Sequence, residues 1–386
     1  MSRTPSATVD PVALAKDLIR VNSVTPAGPA CFDIVETVLA GAGFTVERVF
    51  FDEDGSGPVE NLFATAGDGN RHLAFAGHVD VVPPGPAEAW THDPFGAATD
   101  GDTLYGRGAQ DMKGGVAAMI AAAVSWRAEG GPGRISFLIT GDEEGPALSG
   151  TRPLMAWCAE RTSFDAAIVG EPTSREVLGD TIKIGRRGSL SATITIKGKQ
   201  GHVAYQHNAE NPIAHAVAIG AALMAPLDEG SAAFAPTNLE ITSMDVGNTA
   251  FNVIPGEAAL RFNVRFNDHW TADTLKAELG GRIERAAPGA KMSIAWQPGI
   301  SDCFLTRDDA LIEAVTSAVA TVTGVTPEAT TGGGTSDARF IKNYCPVIEF
   351  GAVGSTMHQV DERTSVAELE TLTKAYGAII ASVLAP

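Results

Sequence analysis

The sequence predicts an α/β domain built on a mostly parallel mixed sheet and interrupted by an α+β insertion. Three observations carry this. Short apolar runs of strand length alternate with helical runs up to residue 169 and again after Asp308, the rhythm of strand–helix–strand units. Between them the pattern changes: Ser189 to Lys197 (SLSATITIK) alternates apolar and polar residues, the mark of a half-exposed strand. The element order there is β-α-β-β-α-β, the ferredoxin-like order, with two helices on one face of an antiparallel sheet. The cuts fall near 187 and 300. Residues 1–187 and 300–386 then form the larger domain and 188–299 the insertion. A chain of 386 residues with 44% hydrophobic content is long enough for two cores.

In chain order, Val12 to Val21 has apolar residues at helical spacing, with Asp10 as N-cap and Pro11 at the first helical position. Cys31 to Ala42 reads as a second helix, stopped by Gly43. Phe44 to Phe51, Asn61 to Thr65 and His72 to Val82 read as strands. Val116 to Glu129 is an alanine-rich helix, and Ile135 to Thr140 a strand buried on both faces. A helix at Thr151 to Glu160 and a strand at Ala166 to Val169 follow. Within the insertion, a helix at Asn211 to Met224 is followed by strands at Leu239 to Val246 and Ala258 to Phe266. A helix at Thr271 to Ala286 and a strand at Met292 to Trp296 complete it. The last part holds helices at Ala310 to Val322 and Asp337 to Asn343, a strand at Val347 to Phe350 and a helix at Val366 to Leu384.

The formal net charge is -18, from 46 acidic and 28 basic side chains, and no basic stretch offsets it. Such a surface repels nucleic acid and anionic membrane. The most apolar helix candidate, from Gly115 to Trp126, is too short to cross a bilayer. Cys31, Cys158, Cys303 and Cys345 are widely spaced, with no CxxC, and read as reduced thiols. No apolar leader core is evident in the first 21 residues. These features point to a cytoplasmic protein.

Five segments carry candidate chemistry. In Gly77-His78-Val79-Asp80 the histidine and aspartate are two apart on a strand and face the same side. That suits a metal ligand with its orienting carboxylate, and equally a buried His–Asp pair. Asp111 closes the Gly-rich run Tyr105 to Gly115, which lacks the phosphate-loop and dinucleotide spacings. It sits where a helix starts, so an N-cap is the plain reading. Glu143 and Glu144 follow a buried strand, where open α/β sheets bind ligands. Adjacent carboxylates suit a ligand beside a proton-transfer base, or a solvated acidic turn. Glu171 and His358 each follow an apolar strand. Together, two histidines and three carboxylates form a donor set for Zn²⁺, Co²⁺ or Mn²⁺. Five ligands exceed one tetrahedral site but serve two ions when one carboxylate bridges.

These five segments, in this order, resemble the aminoacylase and carboxypeptidase (M20) family of dinuclear zinc peptidases and deacylases. The resemblance spans nearly the whole chain. It implies a zinc-peptidase-like catalytic domain and an inserted lid and dimerisation domain. It implies two Zn²⁺ per subunit, with Co²⁺ or Mn²⁺ as substitutes. His78, Asp111 and Glu171 would hold one ion, and Asp111, Glu144 and His358 the other. Asp80 would orient His78, and Glu143 would be the general base. In this family the peptide bond after the bridging aspartate, here Asp111-Met112, is often cis. His202, from the partner subunit of a homodimer, would donate to the oxyanion.

Within the family, Gly179 to Lys183, Gly185-Arg186-Arg187-Gly188-Ser189, Gly201 to Tyr205, Asn252 to Pro255, Gly334 to Asp337 and His358 to Glu362 resemble members acting on a succinyl amide. The implied reaction is hydrolysis of N-succinyl-LL-2,6-diaminoheptanedioate, a small dicarboxylate amide. Carboxylate recognition favours the arginine fork, so Arg186, Arg187 and Arg265 are candidates, with Arg186 preferred because strand alternation sends Arg187 the other way, and with Ser189, Tyr205, Asn252 and Thr335 as neutral partners. Three positions depart from the pattern: Gln206 replaces a usual proline, Ala338 a frequent glycine, and Gly354 an asparagine near the substrate. Another amidase of the family, such as an acetylornithine deacetylase, and a metal-free binding protein on the same fold are the alternatives.

Overall fold

The computed structural model describes residues 8–385; residues 1–7, part of the stretch read above for a leader, lie outside that range. The chain forms two compact units. One comprises Met1–Ile184, Thr306–Thr330 and Ser336–Pro386, the other Gly185–Leu305 and Thr331–Thr335. The limits depart from the expected cuts by a few residues. The segment Thr331–Thr335 also leaves the first unit, because Thr331 Oγ1 donates to Ala233 O at 2.5 Å and Arg186 Nη1 donates to Gly334 O at 3.2 Å.

The first unit holds an eight-stranded mixed sheet among the described residues. Its strands run in the order Thr45–Phe51, Val59–Ala66, Arg134–Thr140, His72–His78, Ala166–Val169, Val347–Glu349, Thr181–Lys183, Glu328–Thr330. The four central strands, from Arg134–Thr140 to Val347–Glu349, are mutually parallel. Their carboxyl ends therefore reach one edge together, with His78 opposite Thr140 and Ala76 opposite Val169. His72–His78 is buried at every residue, as a strand covered on both faces must be. The helix Lys113–Ala128 packs against the helices Pro11–Ile19 and Val366–Leu384. Its residues are buried from Lys113 to Val124, which its alanine content permits by letting neighbours approach closely. Asp10 caps the first helix, accepting from Val12 N at 2.9 Å and Ala13 N at 3.2 Å.

Two expected elements change. The strand expected to reach Val82 ends at His78, because Val81 N turns away to Ser23 O and Thr25 N to Val81 O. The apolar Val79 and Val81 are buried either way, so periodicity could not mark the turn. The helix expected over Asp337 to Asn343 is a single turn, Ala338–Ile341.

The second unit is a four-stranded antiparallel sheet in the order Asn238–Asp245, Glu257–Phe266, Gly188–Lys197, Lys291–Trp296. One face carries Leu190, Ile194, Leu260, Phe262 and Val264 into a core shared with the helices Pro212–Leu223 and Ala272–Ala286. Asn211 and Thr271 cap those helices through Ile213 N at 3.0 Å and Thr274 N at 3.2 Å. No helix among the described residues is long and apolar enough to cross a membrane.

His72, at the end of its strand far from His78, yields a pH prediction. Its Nδ1 faces Ser163 O at 2.7 Å and its Nε2 faces Ser136 Oγ at 2.7 Å. Burial, helped by the Arg134 charge, pushes its pKa from the ordinary 6.5 down to about 4. Between those values the unfolded chain binds a proton that the folded chain refuses. Stability therefore rises with pH across that window and is lost as pH falls, by up to ~3 kcal/mol. Urea midpoints of metal-stripped wild type and His72→Gln should show the shallower pH slope in the variant. Equal slopes would refute the assignment.

Candidate metal centre

All seven metal and proton-transfer candidates of the first unit lie at the carboxyl edge of its parallel strands. His78 ends one strand and Glu143 and Glu144 follow the next, while Glu171 follows the third and His358 lies in the loop after Val347–Glu349. Asp111 comes from the turn before the helix Lys113–Ala128.

Asp111 does not cap that helix; the N-cap is Met112, with no side-chain bond. Its two oxygens are aimed apart instead. Oδ1 lies 3.2 Å from His78 Nε2, and Oδ2 lies 3.2 Å from His358 Nε2. Around the first oxygen, His78 Nε2 is also 3.8 Å from Glu171 Oε1. Around the second, His358 Nε2 is 3.0 Å from Glu144 Oε1. The peptide bond Asp111-Met112 is cis. His358 has φ +61°, a left-handed conformation unusual for a non-glycine residue and found at constrained sites.

Asp80 plays a broader part than expected. His78 Nδ1 lies 2.9 Å from the main-chain oxygen of Asp80 and 3.5 Å from its carboxylate. That carboxylate instead accepts from Glu143 N at 3.2 Å and Glu144 N at 3.0 Å. It shapes the turn that presents both glutamates as well as holding the imidazole.

The charge balance calls for cations. Asp80, Asp111 and Glu171 are buried beside His78. Glu143 is pushed well above the ordinary carboxylate range, by burial and by the charges of Glu171 and Asp337. His78 is raised despite its burial, because Asp111, Asp80 and Glu171 surround it. Buried like charges are stable only when neutralised or cation-bound. Ligand atoms of His78, Asp111 and Glu144 lie within 4.8 Å of one another, and so do those of His78, Glu143 and Glu171. An imidazole and carboxylate set of this kind fits Zn²⁺ and its neighbours.

The candidates of the second unit form three local groups. Arg186 is largely buried and donates to Gly334 O, next to Thr335. Ser189 stands opposite Arg265 across the sheet. His202 pairs with Val253, beside Asn252, and its ring lies 5.6 Å from that of Tyr205. Ala204 N donates to His202 Nδ1 at 3.1 Å, which leaves the proton of a neutral ring on Nε2.

At the divergent Gly354, a Cβ would lie 2.3 Å from Met357 Cε and 3.1 Å from Pro172 O. Met357 thus takes the room a larger residue would need. Asp337 reads in the sequence only as the end of the Gly334 to Asp337 run and the start of a helix, with no role of its own. It is buried, accepts from Thr151 Oγ1 at 2.6 Å, and is raised to about 6 mainly by burial. Nothing in the local sequence distinguishes it from a loop aspartate.

Residues 74–382 match the peptidase family M20/M25/M40. The chain is 53% identical over 377 residues to the succinyl-diaminopimelate desuccinylase of Rhodopseudomonas palustris (strain BisB5), covering 96% of this chain and 97% of that protein. It is 52% identical over 377 residues to the one from Methylocella silvestris, with the same coverage. Among solved structures it is similar to the YXEP protein of Bacillus subtilis, a dinuclear metal binding peptidase (TM-score 0.72, 18% identity, covering 97% of each chain).

Proposed function

The chain belongs to the peptidase family M20/M25/M40, and on that premise we propose that it hydrolyses N-succinyl-LL-2,6-diaminoheptanedioate to succinate and LL-2,6-diaminoheptanedioate. The carrying observation is Asp111, whose two oxygens face His78 and His358 and so join five ligands into two adjoining sites. The choice of amide follows from relatives 52–53% identical over nearly the full length and named succinyl-diaminopimelate desuccinylases.

We assign His78, Asp111 and Glu171 to one Zn²⁺ and Asp111, Glu144 and His358 to the other. Such ions polarise an amide carbonyl and lower the pKa of water toward neutrality. Glu143 takes the proton of the attacking water and returns it to the leaving nitrogen. Its carboxylate accepts no hydrogen bond among the described residues, so both oxygens are available.

His202 donates Nε2–H to the developing oxyanion, supplied by the partner subunit of a homodimer. Its exposure and the hydrogen bond that fixes its tautomer support this. The dimer is supported by the edge strand Asn238–Asp245 and by exposed Val217, Met224 and Met244 on the second unit. In that reading the second unit is the lid and dimerisation domain. Arg186 and Arg265 bind substrate carboxylates, with Ser189, Tyr205, Asn252 and Thr335 as neutral partners. The four cysteines, none of them in a disulfide, fit a reducing, cytoplasmic setting.

The test is a comparison of kcat/KM for N-succinyl-LL-2,6-diaminoheptanedioate and N-acetylornithine on the zinc-loaded protein, with Arg186→Ala and His202→Ala alongside. The succinyl amide should be preferred by at least about 10²-fold, since buried carboxylate-binding groups left unpaired penalise the smaller acyl group. Arg186→Ala should raise KM and His202→Ala should lower kcat. Equal or reversed preference would sink the substrate assignment.

A further inference from the structure

Glu362 lies outside the ligand set, yet its side chain is fully buried at the junction of the two loops that supply Asp111 and His358. Its Oε1 accepts from Gln110 N at 2.9 Å and Asp111 N at 3.1 Å. Its Oε2 accepts from Gly108 N at 3.1 Å and Arg107 Nη1 at 2.7 Å. Three main-chain N–H groups of one loop thus converge on one carboxylate, and Arg107 balances its charge. The turn is tight enough to require Gly108, whose φ is +87° and whose Cβ would fall 2.8 Å from Val81 Cγ1.

The same two loops are tied once more, through Gln110, and the His358 loop is also held to the separate segment at Thr91. Gln110 Oε1 accepts from Thr356 N and Thr356 Oγ1, each at 2.8 Å. Asp361 accepts from Thr91 N and Thr91 Oγ1, each at 2.7 Å. His358 lies between these ties, four residues before Glu362.

We propose that Glu362 is a positioning residue that holds Asp111 and the His358 loop in the spacing that two cations require. This rests on the ligand assignment above. An ionised carboxylate offers only acceptors, which four donors need. A glutamine of the same shape would turn an N–H₂ toward two of those donors, so Glu362→Gln perturbs the loop without opening a cavity.

The experiment is a chelator-competition titration of zinc into metal-stripped wild type, Glu362→Gln, Glu362→Asp and Arg107→Met, with kcat, KM and the Tm of each stripped protein. Glu362→Gln should weaken the weaker zinc step and lower kcat, each by about 10- to 100-fold, with KM within a few-fold of wild type. Glu362→Asp, which keeps the charge, should recover part of both. Arg107→Met should lower Tm while keeping more zinc affinity than Glu362→Gln. Wild-type zinc affinity and kcat in Glu362→Gln, with only Tm reduced, would overturn the proposal by making Glu362 a plain structural pillar. If Glu362→Gln fails to fold, unchanged zinc affinity in Glu362→Asp overturns it in the same way. A wild type that binds no zinc would overturn the ligand assignment and this proposal with it.

Discussion

Glu143→Ala should keep two divalent cations per chain while kcat for amide hydrolysis falls by about 10²- to 10⁴-fold, the usual worth of a general acid–base group. The turn that carries Glu143 is shaped by its main chain, since Asp80 accepts from Glu143 N and Glu144 N whatever side chain stands at 143. Alanine therefore leaves Glu144 in place, and the proposed ligands His78, Asp111, Glu171 and His358 are untouched. The side chain removed is one that burial and neighbouring Glu171 and Asp337 disfavour as an anion. The metal-stripped variant should therefore be at least as stable as stripped wild type, which a thermal melt will show. Two outcomes would revise the role. Near-wild-type turnover would remove Glu143 from the chemistry. Loss of one cation would make it a ligand beside His78 and Glu171, with which its oxygens already cluster.

Asp111→Asn should lose at least one of the two cations and bring turnover to background. Its oxygens serve both halves of the centre, Oδ1 toward His78 and Oδ2 toward His358. An amide has one acceptor oxygen and would turn its N–H₂ toward the second cation. Glu144→Ala, by contrast, removes a carboxylate assigned to one cation alone, whose Oε1 lies 3.0 Å from His358 Nε2. It should lose one cation and keep the other. Fold stability is not expected to follow metal loss, because Asp111 makes no helix cap and its place in the loop is held through its main-chain N–H to Glu362. Metal content by elemental analysis, with a melt of the stripped proteins, separates these effects. Two cations bound by Asp111→Asn at wild-type affinity would rule out a bridging carboxylate.

The placement of much of this candidate site at strand ends is legible in the sequence. His78, Glu144, Glu171 and His358 could be read as strand-end residues because the strands before them are short apolar runs, and such runs stay buried in any packing. The sequence falls short where apolar pattern stops being informative. Val79 and Val81 extend the apolar run beyond His78, yet the backbone leaves the sheet there. Asp80 does lie beside His78, as a two-residue period places it, but no local pattern marks that its carboxylate also accepts from two N–H groups more than sixty residues away in sequence.

The sequence by itself determined the donor types, the order of the loops that carry them and the alternation of strands and helices. These are local properties of side-chain chemistry and hydrophobic period. Tertiary structure alone decided which oxygen of Asp111 meets which histidine, that Asp80 shapes the Glu143–Glu144 turn, and that Glu362 gathers the loop around Asp111. Those arrangements depend on main-chain N–H groups brought together from distant segments. Every residue but proline carries such a group, so the order of side chains holds no mark of where it will point.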